Sequence, residues 1–376
     1  MTATASEMGT LGTAIREGTA HTLRYPPIPR AANILGITQH AVLPSLGLHG
    51  GLSLITYGIA RATNRVDLKD YLWATGIVAN AWYTAVGRHL PHTSPVTSLA
   101  SLNLPQQALL GAITAWGSRL TYRVVTRSLS RGKDDPRYEG VKTQPRFWNK
   151  AVLLFGLEAV FQTLISLPFS SALCTDSLSG FTGASQSWAP WIRWSAAGLF
   201  TAGLFLEIAA DWQIDSHKKR EAARKAEGQA GGELCRSGVW SIVRHPNYFG
   251  DALCHFAFPL WTYGTGLFNW TQVAAPLANY FFLRFIGGDR ENEASQAERY
   301  AKEDKEKYSQ FELYQLQKHS FWPSVFEIAN PWSWIVMGVG AAGAAATWFA
   351  EFKLGEAVMT AHDISLRVGE EVASLA

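Results

Sequence analysis

An all-α transmembrane bundle of seven or eight helices is the fold this sequence predicts, on three observations. Of its 376 residues 47% are hydrophobic and only 17% charged, with 15 tryptophans, which is apolar for a soluble chain of this length. The apolar residues gather in blocks of roughly 20, the length a helix needs to cross a bilayer. A mean hydropathy near zero averages those blocks with basic connecting segments, and the basic segments fall on one side when the blocks are threaded alternately.

The blocks lie at residues 37–60, 70–88, 103–122, 150–170, 190–212, 250–269, 271–287 and 332–350. His40, Pro44 and His49 interrupt the first, which makes the count seven or eight. The sixth and seventh read as a tight helical hairpin broken at Asn269. Strands are a poor alternative, because the blocks lack alternation and a membrane barrel needs many segments of about ten residues. Arg123, Arg127, Arg131, Lys133, Arg137, Lys142, Arg146 and Lys150 surround the third connection, whereas residues 171–187 hold no Lys or Arg. The third connection is therefore expected in the cytosol and the fourth opposite. Alternation then brings Arg61, Arg65 and Lys69, the run Lys218 to Lys225, and the segment Asp289 to Lys318 to the cytosolic side as well.

The chain divides into an N-terminal extension (1–32), N-terminal helices (33–130), a central membrane domain (131–330) and a C-terminal anchor and tail (331–376). The extension lacks the apolar core of a cleavable signal peptide, so membrane targeting is expected to fall to the internal spans, and with no visible organellar presequence the endoplasmic reticulum is the expected membrane of a multi-span chain. The small-residue run Gly338 to Ala346 suits close helix contact, and residues 351–376 read as an amphipathic or loose tail. A net charge of +3 from 33 basic and 30 acidic residues is too balanced for a nucleic-acid binder. Cys174, Cys235 and Cys254 form no CxxC pair, and neither a disulfide framework nor a metal site is expected.

Ionisable residues inside membrane blocks are costly and mark function or pairing. Arg119, Glu158, Glu207 and Asp211 are of this kind. Glu207, Asp211 and Asp215 recur every four residues and share one helix face, which Lys218 continues. Their mutual repulsion is relieved if Arg119, Lys218 or ligand hydroxyls face them; Arg119 can equally make a structural ion pair with Glu158 or Glu207. The stretch Ser237 to Asp251 carries the most information. Pro246 suits the first turn of a helix, which puts Arg244 and His245 at its entrance and Asn247 and Asp251 on one face within it. A helix N-terminus beside an arginine attracts anions, Asn247 can pair with a carboxamide, and Asp251 can accept from ribose hydroxyls. Read plainly, Arg244 is a cytosolic flank and His-Pro a turn.

Arg244-His-Pro-Asn-Tyr248 followed by Gly250-Asp251 resembles the signature of the steroid 5-alpha-reductase C-terminal-like superfamily, which includes sterol reductases, enoyl reductases and an uncharacterised multi-span branch that this chain resembles most. Asp134-Asp-Pro-Arg-Tyr138 with Phe147-Trp148, Ala210-Asp-Trp-Gln213 leading to Lys218, Ser237-Gly-Val-Trp240, and Tyr314 to Pro323 are similar too, so the likeness runs over roughly residues 65 to 330. The resemblance implies NADPH in a cavity open to the cytosol, held by Asp211, Lys218, Trp240, Arg244, His245, Asn247, Tyr248, Asp251 and Tyr314. Asp251 stands where that branch more often has Glu. The Gln-Glu pair and Tyr with which steroid reductases hold a substrate carbonyl have no counterpart before residue 130, which leaves Tyr83 and Tyr122 as candidate proton donors. The expected activity is reduction of a double bond in a hydrophobic lipid, sterol or enoyl, taken from the bilayer. Two alternatives stand beside it. Isoprenylcysteine-type methyltransferases using S-adenosylmethionine share an Arg-His-Pro-x-Tyr turn and a later acidic segment, here Glu291 and Glu293 with Tyr308 and Tyr314. A non-catalytic lipid-binding protein of the same fold is the other.

Overall fold

The computed structural model describes residues 34–174, 181–228 and 232–374; the predicted extension 1–32 lies outside them. Among the described residues all regular structure is helical apart from one bridge, Thr182 to Phe268. A helix stands at each of the eight apolar blocks: α1 Leu43–Thr63, α2 Leu68–Ala85, α3 Leu104–Arg131, α4 Phe147–Ile165, α5 Ala189–Ala226, α6 Pro246–Gly264 and α7 Ala274–Phe285, then, after the charged α8 Asp289–Glu303 and α9 Lys305–Gln317, the long α10 Pro331–Ser374.

The features that seemed to interrupt α1 are built into it. Pro44 follows a π-helical turn, Thr38–Val42, in a helical run that begins at Ile34, and that widened turn takes up the proline. Ser45, His49 and Ser53 lie four apart and are buried, and His49 Nε2 is 3.1 Å from Ser166 Oγ. Gly76 of α2 permits this junction, since a Cβ there would stand 2.5 Å from Gln162 Oε1 and 3.2 Å from His49 Nδ1. α3 starts from a reciprocal capping box between Asn103 and Gln106 and stops at Gly132 in the left-handed region.

Three helices outrun their apolar blocks. α3 reaches Arg131, α5 reaches Ala226 and α10 reaches Ser374, so Arg123, Arg127, Arg131 and Lys218 stand on helices rather than in loops. Hydropathy marks only the part of a helix that lipid would hold, while Arg, Lys, Glu and Ala carry the helix on into water. By length and composition three stretches are long and apolar enough to cross a membrane: Leu35–Thr63, Ala189–Ala226 and Pro331–Glu356. α7, with 12 residues, rises only about 18 Å, less than a bilayer core.

Glycine sets the closest helix pair. A Cβ on Gly203 of α5 would lie 2.6 Å from Gly250 O and 2.9 Å from Cys254 Sγ of α6, and one on Gly250 would lie 2.5 Å from Gly203 O. Gly198 of α5 and Gly340 of α10 meet in the same way, which uses the small-residue run as a close contact. Trp116, Ile113 and Leu109 of α3 form the main core with Ile77 of α2 and Phe258 of α6. Gly203→Val forces α5 and α6 apart, and overpacking of this kind costs about 1–3 kcal/mol. The expected outcome is a lower melting temperature in detergent, with helix content by circular dichroism unchanged before the transition.

Candidate functional site

Two helices bring charge together between them. Arg119 and Arg123 of α3 are four residues apart, as are Glu207, Asp211 and Asp215 of α5, so the two series pair as a ladder. Arg119 donates to Glu207 and, at 2.6 Å, to Asp211. Arg123 lies 3.1 Å from Asp211 and donates to Asp215 at 3.0 Å. Trp116 Nε1 donates to the other Glu207 oxygen at 3.0 Å. Arg119 thus pairs with Glu207, while Glu158 faces Lys69 at 3.5 Å. Lys69 also donates to Asp70, which accepts from Arg137 at 2.8 Å and from the Tyr138 hydroxyl at 3.0 Å.

The face of α6 completes the enclosure. Pro246 opens the helix as the sequence predicts, and Asn247, Tyr248 and Asp251 line a cavity with Asp211, Arg119 and Lys69. Asn279 of α7 donates to Asp251 at 2.8 Å. Trp73 and Phe282, stacked with ring centres 4.2 Å apart, give it an apolar wall. The cavity offers about 190 Å³ to the centres of water-sized molecules and about 1060 Å³ in all, its mouth included. Six Lys and Arg side chains and seven carboxylates line it, so its interior is close to neutral. Arg127 is the loosely paired cation of this wall, 60% exposed with a carboxylate no nearer than 3.9 Å. Lys218, on the exposed stretch of α5, lies within electrostatic reach of Arg127, Arg123 and Arg299. Asn247 Oδ1, Asn279 Oδ1 and Arg119 Nε are buried polar atoms without hydrogen-bond partners among the described residues.

The Arg-His turn is occupied otherwise. Arg244 donates through Nε and Nη2 to Glu293, both at 2.9 Å, and through Nη1 to the carbonyls of Gln315, at 3.1 Å, and Lys318. His245 Nε2 is 2.8 Å from Glu293, and an ionised carboxylate makes that nitrogen the donor. Burial pushes the Glu293 carboxyl up, but hydrogen bonds from His245 and Arg244 outweigh it and hold the group at about 2. Burial pushes His245 below its ordinary value against the pull of Glu293. Tyr314 donates to the carbonyls of Trp240 and, at 3.3 Å, Val243, and Trp240 Nε1 donates to Ala210 O at 3.1 Å.

Of the nine residues assigned to cofactor binding, Asp211, Asn247, Tyr248 and Asp251 therefore share the cavity wall. Trp240, Arg244, His245 and Tyr314 form the packed corner that fixes the start of α6, and Lys218 stands outside. Tyr83 and Tyr122 do not line the cavity: Tyr83 packs over Gly87, and Tyr122, 73% exposed, borders an outer groove with Trp82. Lys69, Asp70, Arg137 and Asn279 are wall or supporting residues that sequence reasoning missed. The Asp134-Asp-Pro-Arg-Tyr138 motif carried a signal for Arg137; Lys69 was visible only as a basic flank.

Residues 56–314 match a family described as protein of unknown function (DUF1295), and the chain belongs to that family, which is steroid 5-alpha-reductase-like and membrane-bound. No curated protein and no solved structure matches the chain.

Because Glu293 is held below its ordinary value of 4.5, it stabilises the folded state above that value, and the contribution is lost as pH falls from about 4.5 towards 2. Glu293→Gln leaves Arg244 with an uncompensated charge and is expected to cost about 3 kcal/mol at pH 7. Thermal melts of the two proteins should differ most at neutral pH and converge as pH falls below 4.

Proposed function

We propose that this protein is a membrane-embedded reductase that uses NADPH to reduce a polarised carbon–carbon double bond of a lipid, with its apolar helices in the endoplasmic reticulum membrane and the cavity mouth in the cytosol. The observation that carries the reading is the convergence of Asn247, Asp251 and Asp211 on one cavity on whose wall Arg127 stays exposed and loosely paired. The basic segments, all on one side in this arrangement, support the cytosolic orientation.

The residues present fit the cofactor. Asn247 offers an unpartnered carbonyl oxygen and Arg119 an unpartnered Nε–H on the cavity wall, suited to a carboxamide or ribose hydroxyls. The inner 190 Å³ suits one ring rather than a dinucleotide, so the phosphates belong at Arg127 and Lys218 rather than at Arg244, whose donors are already used. When bound, NADPH supplies a hydride. Asn247 and Asp251 orient the ring that carries it. Trp73 and Phe282 exclude water from one side, which strengthens the polar contacts within. Tyr248 is the phenol on the cavity wall, 3.4 Å from Asn292 Nδ2, and in this reading it holds the proton that the second carbon takes up.

Cofactor identity tests the proposal. In mild detergent, NADPH should raise the melting temperature of the full chain, as linkage requires of a ligand of the native state, and S-adenosylmethionine should not. Asn247→Ala and Asp251→Ala should abolish the shift. Arg127→Ala should weaken NADPH about tenfold, the lower end for a lost charged hydrogen bond. Stabilisation by S-adenosylmethionine alone would replace this reading with methyl transfer.

A further inference from the structure

The turn that leads into α10 is built inside out. Residues 319–334 hold no Lys or Arg and one carboxylate, Glu327. In the short 3-10 helix Val325–Ala329 that carboxylate is the buried side chain, accepting from Lys318 Nζ at 2.6 Å and from Asn330 Nδ2 at 3.0 Å. Val325, Phe326 and Ile328 are left outside, 83%, 82% and 69% exposed. A connection that faces water keeps its charge out and its apolar side chains in. This one reverses the arrangement, which suits an apolar surrounding.

Its contacts fix its level. Trp334, in the first turn of α10 and itself exposed, donates through Nε1 to Ile328 O at 2.8 Å. Asn330 Nδ2 donates to Ser241 Oγ at 3.0 Å, and in the turn Gly238–Ser241 the Val239 N–H donates to Gln213 Oε1 of α5 at 2.9 Å. Gln213 follows the exposed Trp212, the last residue of the apolar block of α5. The 325–328 turn therefore stands where α5 leaves its apolar block and where α10 enters Pro331–Glu356, a stretch long and apolar enough to cross a membrane. Exposed tryptophans at such a level suit the boundary between head groups and acyl chains.

We infer that Val325, Phe326 and Ile328 form a wedge that inserts shallowly into the bilayer surface at the N-terminal end of α10. Size decides between a bilayer and a protein as the occupant. Three side chains fall short of the roughly 800 Å² a side that a stable protein interface buries. Beside a membrane span they need no association of their own, because the span already holds them at the surface. The wedge is tied to the corner that starts α6, through Asn330 to Ser241 and through Lys318, whose carbonyl accepts from Arg244. The bilayer thus holds the end of α9 from one side as Arg244 holds it from the other. The inference goes beyond the proposed reductase and rests on α10 crossing a membrane, not on nucleotide binding or turnover.

The test is depth-resolved quenching of a fluorophore on the full-length protein in phosphatidylcholine nanodiscs. Cys174, Cys235 and Cys254 are buried, so the thiol introduced by Phe326→Cys takes the nitrobenzoxadiazole label. Val325→Cys and Ile328→Cys repeat the measurement should the first variant fail to fold, and Lys302→Cys, on the exposed side of α8, is the aqueous reference. A nitroxide near the head of the lipid chain should quench the label at position 326 severalfold more than at position 302, and iodide severalfold less. A nitroxide near the end of the chain should quench it less than one near the head. Iodide that reaches the turn as freely as position 302 overturns the inference by putting the turn in water. Protection from iodide and from both nitroxides overturns it by putting a protein there, such as a second copy of the chain, and stronger quenching from the chain end overturns the shallow placement. Because no NADPH is present, failure of the nucleotide reading would leave this result unaffected.

Discussion

The arginine–carboxylate ladder between α3 and α5 is the constraint on which the site depends. Glu207 is buried and Asp211 and Asp215 follow it on the same helix face, and carboxylates stacked every four residues in an apolar helix are tolerable only when each is paired. Arg119 and Arg123 supply guanidinium forks at matching spacing, and a fork can serve two carboxylates at once, as Arg119 does. Such pairs hold helices at the length of two extended side chains. Glycine does the opposite one turn earlier on α5, where Gly203, four residues before Glu207, and Gly250 press α6 backbone against backbone. The cavity follows from this asymmetry: α5 is kept at a distance from α3 and tight against α6, so the inner face of α6 looks into the space the ladder spans.

The signature turn at the start of α6 divides its work at Pro246. Before the proline, Arg244 and His245 are taken up by Glu293 and by the last carbonyls of α9, where a cation is favoured by the helix dipole and by orphan acceptors. After it, Asn247, Tyr248 and Asp251 project to the cavity. An arginine beside a helix N-terminus looks like an anion site in a sequence. Here the same arginine satisfies the C-terminus of a different helix, and that use excludes the first.

What the sequence made legible was local. The blocks of hydropathy located α1 to α7 and α10, the period of four put Glu207, Asp211 and Asp215 on one face, and proline chemistry put the start of α6 at residue 246. Partners far apart along the chain were not legible: nothing in periodicity joins Arg244 to Glu293, Lys69 to Glu158 or Arg123 to Asp215. Arg123 and Arg127 were read as flanking charge because hydropathy ends near residue 122, whereas α3 continues to Arg131 and carries both to the cavity. Tyr83 and Tyr122 were chosen as buried phenols within apolar blocks, yet both lie away from the cavity, because membership of a block does not say which face of the helix a residue occupies.

The near neutrality of the cavity restricts what it can do. A wall of six cations and seven carboxylates has little net field for a polyanion, so what enters is selected by hydrogen bonding and shape. The unpartnered Asn247 Oδ1 on this wall calls for a donor, and the stacked rings of Trp73 and Phe282 lay an apolar surface on the same cavity, so the wall suits a group that joins a hydrogen-bond donor to an apolar face.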